Sequence, residues 1–200
     1  ARKGLFSANF ILCRNAGNEN LSLKKLNGRW MALAYMPLEK GIAKAAKMDI
    51  YSFKYPKMKG IDVYESLYKG LNIAIRKAVK MLKRNRKRYD YFYVHFKETD
   101  IPGHDGNFKD KVKMIEILDK RFFGFLRRYL EKNRARGVVT ADHTTSSKRK
   151  AHTDDPVPVL FYDPFDMGER KREQRFIEKD GLKGKKIIGR KLLERTLFSK

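Results

Sequence analysis

The chain has 200 residues, of which 42% are apolar and 12% aromatic, enough for a sizeable core and too apolar for a disordered class. Lysine and arginine number 47 against 23 acidic residues, giving a formal net charge of +24. That balance favours anionic partners, whether phosphorylated metabolites, nucleic acid or acidic membrane, without choosing between them. Cys13 is the only cysteine, which excludes an intrachain disulfide and fits a reducing, cytoplasmic setting. No apolar run is long enough to span a bilayer, and Phe10 to Cys13 is too short for the core of a secretion signal.

In chain order, Ala8 to Cys13 reads as a buried strand, followed by a polar turn over Asn15 to Asn20 around Gly17. Met31 to Met48 carries small and apolar residues at helical spacing and is expected as a helix, with a short strand from Tyr51 to Tyr55 ending at Pro56. Leu67, Leu71, Ile75, Val79 and Leu82 recur every three or four residues, which predicts an amphipathic helix over Tyr64 to Leu82 with its lysines on the other face. The basic run Lys83 to Arg88 should end it. Tyr91 to Phe96 is dense in aromatic and β-branched residues and reads as a central strand containing His95. Val112, Ile115, Leu118, Phe122, Phe125 and Tyr129 mark the next helix, Val138 to Thr140 and Val157 to Tyr162 two further strands, and Leu192 to Leu197 a last helical patch. Strands alternating with helices predict an α/β fold with a mostly parallel sheet flanked by helices. In such sheets ligands bind beyond the carboxyl ends of the strands.

Histidines and carboxylates gather at those ends. Asp100 and His104 follow the strand Tyr91 to Phe96, Asp142 and His143 follow Val138 and Val139, and His152 stands just before the strand that begins at Val157. Carboxylate oxygen and imidazole nitrogen together suit zinc, manganese and similar divalent ions, and several such clusters can hold a pair of them. Two metals a few ångströms apart stabilise both the entering and the leaving oxygen of a phosphoryl displacement. Asp100 and His104 have the spacing of one helix face, but Pro102 and Gly103 predict a loop there instead. The hydroxyls of Thr144, Thr145, Ser146 and Ser147 close to the Asp-His pair are an alternative source of a nucleophile.

The segments Lys97 to Gly106 (Lys-Glu-Thr-Asp-Ile-Pro-Gly-His-Asp-Gly), Val139 to His143 (Val-Thr-Ala-Asp-His) and Lys150 to Pro158 (Lys-Ala-His-Thr-Asp-Asp-Pro-Val-Pro) resemble the three C-terminal metal motifs of cofactor-independent phosphoglycerate mutases, closest to the archaeal branch. Weaker similarity runs from Ala8 to Arg14, through Phe176 to Glu178 and from Gly181 to Leu193. The resemblance implies an alkaline phosphatase-like core, with residues 1–24 as the end of an inserted substrate domain and 25–200 as the C-terminal part of the metal-binding domain. It further implies that Asp100, His104 and His152 hold one divalent ion and that Asp142 and His143 contribute to a second, the metals being manganese, zinc or cobalt, without 2,3-bisphosphoglycerate.

In such enzymes a serine carries the phosphoryl group between the two hydroxyls of glycerate. That serine and one further aspartate are expected upstream of Ala1, in an N-terminal half that is then a partner of this chain, which alone is expected to be inactive. Arg14 matches an arginine of the archaeal branch suited to grip a carboxylate or phosphate, although Asn15 replaces the usual glycine after it; Lys57 and Lys97 are further candidates for substrate contact. Two other readings compete: a metal-dependent phosphohydrolase of the same superfamily, and a basic nucleic-acid-binding module whose affinity would be non-specific and salt-sensitive.

Overall fold

A computed structural model describes residue 23 and residues 26–56, 62–165 and 176–197. The expected strand at Ala8 to Cys13 and the candidates Arg14 and Lys57 lie outside the described residues, as does nearly all of the 1–24 segment. The sheet is built on β1 (Trp30–Leu33), with β2 (Asp49–Tyr51) and β3 (Tyr91–Val94) parallel on either side, Met31 standing opposite Asp49 and Phe92. The expected helix from Met31 therefore splits: its first residues form the middle strand, and α1 (Pro37–Ala45) begins only afterwards. All four residues of β1 are buried. An unbroken apolar run is what a strand covered on both faces looks like, and it has no polar face to betray its period. Pro37 opens α1 at a position where its missing N–H costs nothing. Tyr91 to Phe96 was expected as a central strand; among the described residues β3 pairs with β1 alone, and it stops at Val94, so His95 lies just beyond it.

The long helix α2 (Val63–Asn85) lays Leu67, Leu71, Ala74, Ile75, Ala78, Met81 and Leu82 into a core shared with Met31, Leu33 and Tyr35. It starts where the Asp62 side chain accepts from the backbone N–H groups of Tyr64 and Glu65, a cap that satisfies two otherwise orphaned donors. It runs on into the basic stretch as far as Asn85, because cations in a last turn oppose the negative end of the helix dipole.

After β3 comes α3 (Asp100–Asp105), a helix where a loop was expected. Pro102 occupies its first turn, where backbone N–H groups have no intrahelical partner, and Gly106 ends it in the left-handed conformation at φ 73°. Helices α4 (Phe108–Leu118) and α5 (Gly124–Asn133) are joined without a break by a π-helical turn, Asp119–Phe123. The inward seam is Met114, Leu118 and Phe122, continued by half-buried Leu126, with Leu130 buried further along; Ile115, expected on it, is half exposed.

The remaining strands do not extend the parallel sheet. β4 (Gly137–Val139) pairs antiparallel with β7 (Leu160–Tyr162), and β5 (Thr144–Ser146) with β6 (Ala151–Thr153). The four residues between β5 and β6 allow a hairpin but not the crossover that a parallel pair needs. Two short helices, α6 (Glu178–Gly181) and α7 (Leu192–Leu197), follow. The fold is thus α/β, with a parallel sheet flanked by helices and two antiparallel ribbons. No helix among the described residues is long and apolar enough to cross a membrane.

Candidate metal centre

The centre forms where α3 meets the β5–β6 ribbon. Gly103 makes the meeting possible: a Cβ there would stand 2.8 Å from Thr145 Cγ2 and 2.9 Å from the Thr145 carbonyl oxygen. Asp100 and His104, four apart on α3, point to the ribbon, where register places His152 of β6 opposite Thr145 of β5. The turn between β4 and β5 supplies Asp142 and His143. All five carboxylate and imidazole groups singled out from the sequence are brought together.

Three donor atoms form a triangle. Asp100 Oδ1 lies 3.5 Å from His104 Nε2 and 3.5 Å from His152 Nε2, and the two nitrogens are 3.0 Å apart. Ligands about 2.1 Å from a tetrahedral ion lie about 3.4 Å from one another, so these separations fit one small divalent ion. The His143 ring lies tilted against that of His152 with centroids 3.8 Å apart, and donor atoms of Asp100, His143 and His152 all lie within 4.8 Å of one another. Asp142 sits further out, its Oδ2 3.4 Å from His143 Nε2.

The ligand-capable atoms are oriented from behind. His104 Nδ1 lies 3.3 Å from the Lys150 carbonyl, which can only accept, so Nδ1 carries the proton and Nε2 presents a lone pair. Lys150 reaches this place in the left-handed conformation, φ 54°. Thr145 donates its hydroxyl proton to Asp100 Oδ1 at 2.7 Å, so His143 Nδ1, 3.1 Å from the same hydroxyl, must be the donor to it. His143 Nε2 is then also bare. Thr145 is buried, its hydroxyl held between Asp100 and His143; the Ser146 hydroxyl accepts from Arg149 N.

Lys97 Nζ lies 2.8 Å from Asp100 Oδ2. Burial alone would push the Asp100 carboxyl up, but hydrogen bonds from Lys97 and Thr145, with the charge of Lys97, outweigh it and hold the pKa at about 2. Asp100 is therefore an anion at neutral pH with one oxygen turned to the imidazoles. Lys97, a candidate substrate contact, stands at the centre with its charge directed at Asp100; burial disfavours its ammonium, yet Asp100 keeps its pKa above the ordinary lysine value.

Sequence reasoning missed two contributors, Lys111 and His95, and named Thr145 only as an alternative nucleophile. Thr145 and Lys111, whose Nζ donates to the Thr145 carbonyl, come from elements far apart in the chain. His95, read as a sheet residue, instead faces Asp142 Oδ2 at 3.8 Å while its Nδ1 lies 3.1 Å from the Tyr93 hydroxyl. Of the two missed, only His95 left a sequence signal, as one more imidazole next to the Asp100 segment.

This geometry agrees with what the chain resembles. Residues 38–188 match the family model described as the Metalloenzyme superfamily, and the chain belongs to that family. A 2,3-bisphosphoglycerate-independent phosphoglycerate mutase of Ignicoccus hospitalis is 36% identical over 166 residues, 81% of this chain and 37% of the relative. A probable enzyme of the same name from Aquifex aeolicus is 32% identical over 181 residues, 88% of this chain and 39% of its own length. A solved protein of Pyrococcus horikoshii, 28% identical, superposes with a TM-score of 0.62 over 78% of this chain and 43% of its own. The chain thus spans less than two fifths of those curated relatives.

Proposed function

We propose that this chain carries the metal centre of a cofactor-independent phosphoglycerate mutase that interconverts 2-phosphoglycerate and 3-phosphoglycerate in glycolysis and gluconeogenesis. The donor triangle of Asp100, His104 and His152 carries the reading, supported by the names of the relatives. In this proposal those three residues hold one divalent ion, while Asp142 and His143 belong to a second. Bound there, the ions would supply Lewis acidity to a transferring phosphoryl group. The chain's own part is to keep Asp100 ionised through Lys97 and Thr145, and to fix the His104 and His143 tautomers so that lone pairs face the centre. With Thr145 engaged, we assign the nucleophile to a serine in the part of the relatives that this chain does not span, and phosphoryl transfer to a phosphoserine. Residues 25–200 would then form part of the metal-binding domain, with 1–24 ending an inserted one.

The nucleic-acid reading finds little support, since Phe122 is buried and the Tyr129 hydroxyl donates to the Leu82 carbonyl, leaving neither as an open stacking platform. The test is to give the protein Mn2+ and 3-phosphoglycerate and follow phosphorus by NMR. With the serine-bearing segment present, 2-phosphoglycerate should appear without free phosphate. Free phosphate as the main product would favour the phosphohydrolase, and turnover by the 200-residue chain alone would overturn the placement of the nucleophile.

A further inference from the structure

Two residues before Asp100, Glu98 is almost completely buried, with 1% of its surface exposed, and no ion pair to it occurs among the described residues. Its partners are two phenols: Tyr35 donates to Oε2 at 2.9 Å and Tyr55 to Oε1 at 3.0 Å. Tyr35 also accepts from the backbone N–H of Lys97 at 3.2 Å, and the two tyrosine rings stack nearly parallel, 5.7 Å apart. Tyr35 follows β1, Tyr55 follows β2 and Glu98 follows β3. One carboxylate thus gathers the outgoing ends of all three parallel strands directly behind the segment that delivers Asp100.

A buried carboxylate without a cation is a costly choice for a site whose only task is packing, because an apolar side chain fills space without desolvating a charge. The surroundings are shaped around it. Gly70 interrupts the middle of α2, where glycine weakens a helix, and a Cβ there would lie 1.9 Å from the Tyr55 hydroxyl. The helix is thinned at that turn, and Tyr55 reaches Glu98 through the gap.

We infer that Glu98, clamped by Tyr35 and Tyr55, is a positioning residue that fixes the Lys97 to Asp100 segment and thereby sets the affinity of the centre for its divalent ion. The inference rests on the metal-centre reading above. Groups standing behind metal ligands typically change affinity by 10- to 100-fold when removed.

The test is titration of the full chain with Mn2+ by calorimetry and with Co2+ by its visible absorption, for wild type, Glu98→Gln, Tyr55→Phe and Gly70→Ala. Each variant should bind Mn2+ at least about tenfold more weakly and show an altered Co2+ spectrum. Met81→Ala, in the core at the far end of α2, should lower the unfolding temperature yet bind Mn2+ like wild type once folded. Should Glu98→Gln fail to fold, Tyr55→Phe, which leaves Glu98 its bond from Tyr35, carries the same test. Wild-type affinity in Tyr55→Phe and Gly70→Ala would overturn the clamp while leaving the centre standing. A wild-type chain that takes up neither Mn2+ nor Co2+ would overturn both.

Discussion

The parallel-sheet region and the ribbon region are held together by different forces. In the first, β1, α2 and the α4–α5 segment share one apolar cluster in which Leu33, Leu71, Met81 and Met114 are fully buried. In the second, residues 137–165, Thr145 is the only buried residue, and order comes from two short ladders and polar contacts such as Arg136 with Asp163 at 2.6 Å and Thr140 Oγ1 with the Pro158 carbonyl at 3.1 Å. The candidate centre draws Asp100 and His104 from the apolar region and Asp142, His143 and His152 from the polar one. Stability and metal binding should therefore answer to different residues.

The largest expected effect breaks the apolar region alone. Met81→Ala should lower the unfolding free energy by about 3 kcal/mol in urea titration, by lost transfer energy and a residual cavity, and leave Mn2+ affinity unchanged. His152→Ala should do the reverse: calorimetry should show Mn2+ affinity reduced by more than the roughly 100-fold upper range for groups standing behind ligands, with metal-free stability within about 0.5 kcal/mol of wild type. Gly103→Ala tests the seam between the regions and should affect both readouts. Its methyl group would press on Thr145, destabilising by about 2 kcal/mol and weakening Mn2+ binding as α3 is pushed off the ribbon. The smallest effect is expected for Asp62→Ala, which removes the α2 cap at about 1 kcal/mol in the same urea titration and should leave the centre untouched.

What could be read in advance follows the same division. Helix α2 declared itself because one face is apolar and the other carries its lysines, so the period is visible. β1 did not, because burial on both faces erases the contrast from which a period is read. α3 was obscured by Pro102, which breaks a helix interior but is harmless in a first turn, and by Gly103, which the close approach to Thr145 requires. The five candidate ligands were visible as residue types in motifs. The roles of Thr145 and Glu98 were not, because they arise from partners 45 and 63 positions away. A threonine in a polar loop and a glutamate in a charged one carry no local mark of such contacts.

The π-helical turn at Asp119–Phe123, closed by the Gly124 N–H on the Asp119 carbonyl, bears on how one continuous rod can stay against a straight partner. Met114, Leu118, Phe122, Leu126 and Leu130 are each four residues apart. In an unbroken α-helix every such step overshoots a full turn by about 40°, so the last would face almost opposite to the first. The wider turn winds through fewer degrees per residue and resets the phase midway, like a vernier that brings two scales back into line. Beyond it Leu130 still lies inward, near enough to Gly137 that a Cβ there would stand 2.7 Å from its Cδ1. The helix that closes the apolar core thus also supports β4, the strand from which the ribbon side of the centre begins.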